Sequence, residues 1–285
     1  MNDQINATNA DQRQFWSDEV GDIWVRYARN VDAIFAPILA RVLDQGDLQA
    51  GQKVLDIGCG AGTSTFEAAA RVGASGNAFG LDISEPLLAA AESDQRASAQ
   101  TSFILGDAQI YELPEQAFDR MISRFGVMFF ADTGAAFRNI ARALKPEGQI
   151  SFATWGSIAE NPFFTLAAAV SKAHFGPLPK SDPDGPGPFA LREVAGVLEM
   201  LTGAGFTNVV GEASDVLLTP QGGALELAEM MCEIGPAKAA LMEYQADAPA
   251  RAALIDKLVE ALQVYETAEG LRIPAEINFF TANTP

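Results

Sequence analysis

Four residues at alternate positions, Asp56, Gly58, Gly60 and Gly62, mark the stretch Val54-Leu55-Asp56-Ile57-Gly58-Cys59-Gly60-Ala61-Gly62-Thr63-Ser64-Thr65. Their chemistry is ligand binding by backbone. Glycines allow a turn with φ > 0 and a close ligand approach that a Cβ would block. The free N–H groups at a helix start favour an anionic or carboxylate-bearing group. A second acid follows in Gly80-Leu81-Asp82-Ile83-Ser84, about twenty residues on. There an acid at a strand's carboxyl end accepts both hydroxyls of a ribose. A third stands in Gly106-Asp107-Ala108-Gln109, where an aspartate suits a turn as well as a ligand.

These residues need strands to end at them and helices to start after them. The short apolar run before Asp56 reads as a strand, and Phe66 to Val72 as helix. Ala78 and Phe79 lead a second strand to Asp82. Ser84 is placed to cap a helix over Glu85–Glu92. Ser102–Leu105 reads as a third strand. Strand–helix alternation over 53–156 is the pattern of a parallel sheet with helices on both faces, which binds ligands outside the strands' carboxyl ends.

The glycine spacing separates two cofactors. A dinucleotide turn needs G-x-G-x-x-G, but Thr63 stands at the third position and Gly62 falls one residue early. Asp-x-Gly-x-Gly-x-Gly instead resembles motif I of the class I S-adenosylmethionine (SAM)-dependent methyltransferases. The resemblance continues through a fourth strand, Phe118-Asp119-Arg120-Met121-Ile122-Ser123-Arg124-Phe125. It extends to the helix end, turn and fifth strand of Ala143-Leu144-Lys145-Pro146-Glu147-Gly148-Gln149-Ile150-Ser151-Phe152. It covers residues 50–155. The wider layout, including Asn161-Pro162-Phe163, is similar to a broad bacterial group related to the quinone-biosynthesis C-methyltransferases.

The resemblance implies a set of roles. Asp56 and the turn Gly58, Cys59, Gly60, Gly62 and Thr63 would hold the methionyl part of SAM. Asp82 and Ile83 would take the ribose, and Asp107, Ala108 and Gln109 the adenine, with Ser123 beside the cofactor. N-terminal helices cover the cofactor in such proteins, which makes Trp24 and Tyr27 lid residues. The fourth strand's end points at the donor methyl. Enzymes directed at amides or nucleic-acid bases carry Asn/Asp-Pro-Pro-aromatic there, and this chain has Ser123-Arg124-Phe125-Gly126.

An apolar acceptor pocket is therefore expected, walled by Phe125, Met128, Phe129, Trp155 and Phe163, with few polar groups. Arg124 is suited to a carboxylate or to a salt bridge. His174, the only histidine, is placed either as a lid-borne base or as a helix-end donor to carbonyls. Methyl transfer from a sulfonium needs mainly alignment and exclusion of water, worth about 7–11 kcal/mol. No metal ligand cluster is evident.

The net charge is −18, from 19 basic and 37 acidic residues. Lys and Arg occur singly, so nucleic acid and anionic membrane surfaces are disfavoured as partners. A small-molecule substrate is expected, with a monomer or homodimer. No run approaches eighteen apolar residues, so membrane insertion is not expected. Two cysteines, Cys59 and Cys232, form no disulfide framework. The polar start carries no secretory pattern, and the expected location is cytoplasmic.

The expected fold is one α/β domain over 1–285 with a Rossmann-like, seven-stranded, mostly parallel sheet. Its parts are an N-terminal helical cap over 1–46, a SAM-binding core over 47–156, and substrate-side elements over 157–285. The last contain a Pro-rich loop at 177–188 that reads as a lid, a sixth strand at Phe206–Val210, a helical stretch over 222–267 and a closing strand at Ile277–Thr281. Helical insertions thus follow strands five and six. The expected activity is transfer of a methyl group from SAM to a small, mostly hydrophobic acceptor. Alternatives are a quinone-type C-methyltransferase and a catalytically silent SAM-binding protein. An NAD(P)-dependent oxidoreductase is contradicted by the glycine spacing.

Overall fold

A computed structural model describes residues 11–17, 19–178 and 185–285. Two N-terminal helices, α1 (Glu19–Ile34) and α2 (Ala36–Gln45), are separated by a break at Phe35. A proline in the first turn of α2 explains the restart, since it lacks the N–H that a helix start leaves unpaired. Helix α2 buries Ile38, Leu39, Val42 and Leu43.

The core alternates: β1 (Lys53–Ile57), α3 (Thr63–Val72), β2 (Asn77–Asp82), α4 (Glu85–Ser93), β3 (Thr101–Leu105), β4 (Phe118–Arg124), α5 (Thr133–Ala143) and β5 (Leu144–Trp155). Four of the five β1 residues are buried, as a strand covered on both faces requires. Ser84 caps α4 as its position predicts, accepting from the Leu87 N–H. The chain continues through α6 (Pro162–Phe175), α7 (Val194–Gly203), β6 (Thr207–Leu218), α8 (Ala224–Met231), α9 (Pro236–Glu243), α10 (Ala248–Leu262) and β7 (Ile273–Asn283).

The strand order is β3-β2-β1-β4-β5-β7-β6. All pairs from β3 to β5 are parallel, and β7 runs antiparallel to both its neighbours. Winding reverses between β1 and β4, which opens a crevice at their carboxyl ends. One apolar cluster joins α2, α3 and the C-terminal helices on one side of the sheet. A second, with Phe137, Ile140, Phe152, Phe206 and Phe280, fills the other side.

The distal half departs from the sequence expectation. Strand β6 runs eight residues past Val210, to Leu218. As an edge strand it leaves Val210 and Leu217 exposed, and its polar centre, Gly211-Glu212-Ala213-Ser214-Asp215, lacks a buried-strand pattern. Only the pairing with β7 makes it a strand. The closing strand likewise starts four residues earlier, at Ile273. The stretch 222–267 is three helices and a short turn, ending in a ribbon of Glu266–Thr267 against Gly270–Leu271. Of the Pro-rich loop, 179–184 lie outside the described residues. Its far end is tied down by the Gly187 N–H, which donates to the Met128 carbonyl at 3.1 Å.

Candidate ligand cleft

The crevice is a cavity of about 720 Å³ above the carboxyl ends of the central strands. Its floor is the glycine turn. Gly58 (φ +67) packs backbone to backbone on Gly126: a Cβ there would lie 2.4 Å from the Gly126 Cα. Gly60 (φ +55) has the opposite reason, because a Cβ there would meet no atom within 4 Å and would occupy ligand space in the cleft.

Asp82 holds this turn. Its Oδ2 accepts the Gly60 N–H at 2.7 Å and its Oδ1 the Ser84 N–H at 2.9 Å. Burial raises its pKa above the ordinary aspartate value, against these hydrogen bonds. Each carboxylate oxygen keeps a further lone pair for a ligand hydroxyl. Ile83, Asp107 and Ala108 line the same wall, and the Asp107 carboxylate accepts the Gln109 N–H at 3.0 Å.

Behind the turn lies Asp56, fully buried. Its Oδ2 accepts from Ser64 Oγ and Thr65 Oγ, both at 2.6 Å, which ties β1 to the start of α3. Oδ1 is buried without a hydrogen-bond partner. Burial pushes its pKa up to about 6. Asp56 does not face the cavity, so it positions the turn from behind it. Gly62, Gln109 and Ser123 also stand back from the cavity wall. Ser123 Oγ donates to the Ile57 carbonyl at 2.7 Å, and Gln109 Oε1 accepts the Asp132 N–H at 2.8 Å. Cys59 and Thr63 are on the wall; burial raises the Cys59 thiol well above its ordinary pKa.

The cap closes over this floor. Ser84 Oγ donates to the Trp16 carbonyl at 2.6 Å. The Trp16 ring meets Trp24 and Phe129 edge-on, at 5.5 and 5.1 Å. Trp24 lines the cavity as expected of a lid residue; Tyr27 does not. It packs against the core, as Trp24 also does, with its hydroxyl pKa raised, chiefly by burial, so only part of the helical stripe that joins these two residues reaches the cavity.

Arg124 is tied to the cap by Asp32 of α1, a residue the sequence reading missed. Arg124 Nη2 donates to Asp32 Oδ1 at 2.7 Å, and Thr63 Oγ1 donates to Asp32 Oδ2 at 2.5 Å. Asp32 thus joins α1, β4 and α3, three elements distant in sequence. Arg124 Nη1 is buried and has no hydrogen-bond partner. It is a fixed donor on a cavity-lining side chain.

The far side is aromatic. Phe125 and Trp155 stack at 4.7 Å with an interplanar angle of 2°, and Phe163 continues the column at 6.1 Å. Phe125 has φ +68, a left-handed conformation that costs a bulky residue about 1–3 kcal/mol. Met128 and Phe129 line the cavity too. A further wall comes from the α8–α9 turn, with Met231, Ile234 and Lys238, for which the sequence held no signal. His174 is not on the cavity wall; its ring packs on Phe175 at 4.5 Å.

A glycine turn and acid-tipped strands at the switch point of a 3-2-1-4-5-7-6 sheet define the Rossmann-like methyltransferase fold. Residues 48–177 match the family model described as a methyltransferase domain. Nocamycin O-methyltransferase of Saccharothrix syringae is 38% identical over 118 residues, 41% of this chain and 42% of that protein. Aklanonic acid methyltransferase of a Streptomyces strain is 33% identical over 120 residues, 41% of this chain and 54% of that one. The chain thus spans about half the length of the curated relatives it matches. Phosphoethanolamine N-methyltransferase 2 of Haemonchus contortus, solved with S-adenosyl-L-methionine, shares the fold: TM-score 0.56 at 21% identity, over 96% of this chain and 60% of that one. A [4+2]-cyclase is also similar, with TM-score 0.53 at 20% identity over 87% of this chain and 81% of its own. The fold therefore accommodates more than one chemistry.

Proposed function

We propose that this protein transfers a methyl group from SAM to a small, mostly apolar acceptor bound in the same cleft. The observation that carries this reading is the continuity of the cavity. A polar floor with Gly60, Asp82 and Asp107 runs without a partition into the stacked wall of Phe125, Trp155 and Phe163. Donor and acceptor held in one cavity is what an in-line displacement requires.

The residues present fit the donor. The space over Gly60 admits a ligand against backbone. The spare lone pairs of Asp82 suit the ribose hydroxyls, and the 107–108 wall suits the adenine. The unpartnered Arg124 Nη1 suits the methionyl carboxylate, since a buried guanidinium donor left unpaired is costly. SAM supplies an activated methyl; the chain aligns it and excludes water.

The test is a calorimetric titration of the purified protein with S-adenosylhomocysteine, NAD(H) and NADP(H), followed by a screen of small acceptors with methyl-labelled SAM. Micromolar binding of S-adenosylhomocysteine with no nicotinamide binding supports the reading. Nicotinamide binding alone overturns it.

A further inference from the structure

The cleft's acids are all engaged. Asp32 is held by Arg124 and Thr63, Asp82 by two backbone N–H groups, and Asp107 by the Gln109 N–H. Glu233 is paired with Arg251 at 2.7 Å. Among the described lining residues there is no histidine. Among the described residues, the acceptor side thus offers no histidine and no carboxylate that is not already hydrogen-bonded or ion-paired.

One cation on that side has the opposite character. Lys238, in the first turn of α9, lines the same cavity as Ile234, Met231, Met242, Phe163 and Phe164. It makes no ion pair or hydrogen bond with any described residue. The neighbouring charge of Glu233 is already spent on Arg251. An ammonium in a cavity lined mainly by apolar side chains is stabilised by an anionic ligand, and a chain of net charge −18 needs such a local cation to retain one.

Resting on the methyltransferase reading above, we propose that the acceptor is an aromatic carboxylic acid bound as its anion, with Lys238 as counter-ion and the Phe125–Trp155–Phe163 column as apolar wall. One carboxylate oxygen pairs with the ammonium while the other is free to attack. Its lone pair forms the new O–CH3 bond, and the S–CH3 bond breaks with its electron pair left on sulfur. Carboxylate and sulfonium become neutral ester and thioether. No proton moves, which agrees with the engaged acids.

The experiment titrates the S-adenosylhomocysteine-loaded protein at pH 7.5 with 1-naphthoate and with its neutral analogue methyl 1-naphthoate, followed by tryptophan fluorescence. Wild type, Lys238→Gln and Lys238→Arg are compared. Naphthoate is expected to bind at least tenfold more tightly than the ester. Lys238→Gln should erase at least five-fold of that preference with ester affinity changed less than two-fold, and Lys238→Arg should restore it. Equal binding of acid and ester, no binding of either, or a preference unmoved in Lys238→Gln would overturn the proposal. If S-adenosylhomocysteine fails to bind while the naphthoate preference and its loss in Lys238→Gln persist, the donor reading falls and the anion site stands.

Discussion

The two halves of the cleft are built by opposite strategies. The floor comes from short segments, each a strand end and the turn after it: 56–63, 82–84 and 106–109. Its key contacts are local hydrogen bonds, such as Asp56 to Ser64 and Thr65, or links between adjacent strands, such as Asp82 to Gly60. The aromatic half is drawn from β4, β5, α6 and the α8–α9 turn. No two of its elements share a motif. A site made of turns tolerates little change at the turn residues, whereas one made of packed side chains yields by degrees.

That contrast can be broken at its strongest point first. Gly60→Val places a branched side chain at φ +55 in ligand space. It should lower S-adenosylhomocysteine affinity by about two orders of magnitude, roughly 2.7 kcal/mol, in calorimetry; an unchanged affinity would remove the floor from the donor site. Asp82→Ala leaves the Gly60 and Ser84 N–H groups unpaired as well as any ribose hydroxyls. A loss of about 1–3 kcal/mol in the same titration is expected.

The buried Asp56 supplies a pH test of the floor alone. With its folded pKa near 6 and an ordinary unfolded value, the folded state holds more protons between about pH 4 and 6. Stability contributed by this residue therefore falls as pH rises through that window, by about 2–3 kcal/mol. Asp82, raised in the same direction, adds to the slope. Denaturant unfolding of Asp56→Asn should show a flatter pH 4–6 profile than wild type; parallel profiles would contradict the burial effect.

On the aromatic side the expected changes are smaller. Phe163→Leu should leave S-adenosylhomocysteine affinity within two-fold while raising the KM of an acceptor found by the labelled-SAM screen several-fold. A donor affinity that falls equally would mean that the two halves are not separable. The smallest effect is expected of His174→Ala. With the ring on Phe175 and off the cavity wall, turnover should stay within about three-fold, whereas a loss of 10²-fold or more would make it the base.

Much of the floor was readable from residue order because its geometry is local. Alternate glycines after a short, mostly apolar strand specify a turn, and an acid ending the next strand lands beside it in any parallel βαβ unit. Even there, only the folded chain distinguished Gly58, Gly60 and Asp82, which face or support the cavity, from Asp56, which braces the turn with its carboxylate buried. Trp24 and Tyr27 lie three residues apart on one helical stripe and both pack against the core, yet only Trp24 also lines the cavity. Periodicity marks a face without naming what it meets.

The remaining decisions belonged to long-range contact. Asp32 carries no signal in its own segment and becomes a cleft residue because α1 brings it to Arg124, 92 positions away. Strand β6 has a polar, half-exposed pattern, and it is a strand because β7 offers it a hydrogen-bonding edge. Lys238 looks like any solvated helical lysine until α9 packs against α6 and brings it to the cavity. Backbone turns and strand ends follow from residue type and spacing, since their energetics are settled within a few residues. Which side chains share a cavity depends on how distant elements pack, and that only the assembled sheet and its helices decide.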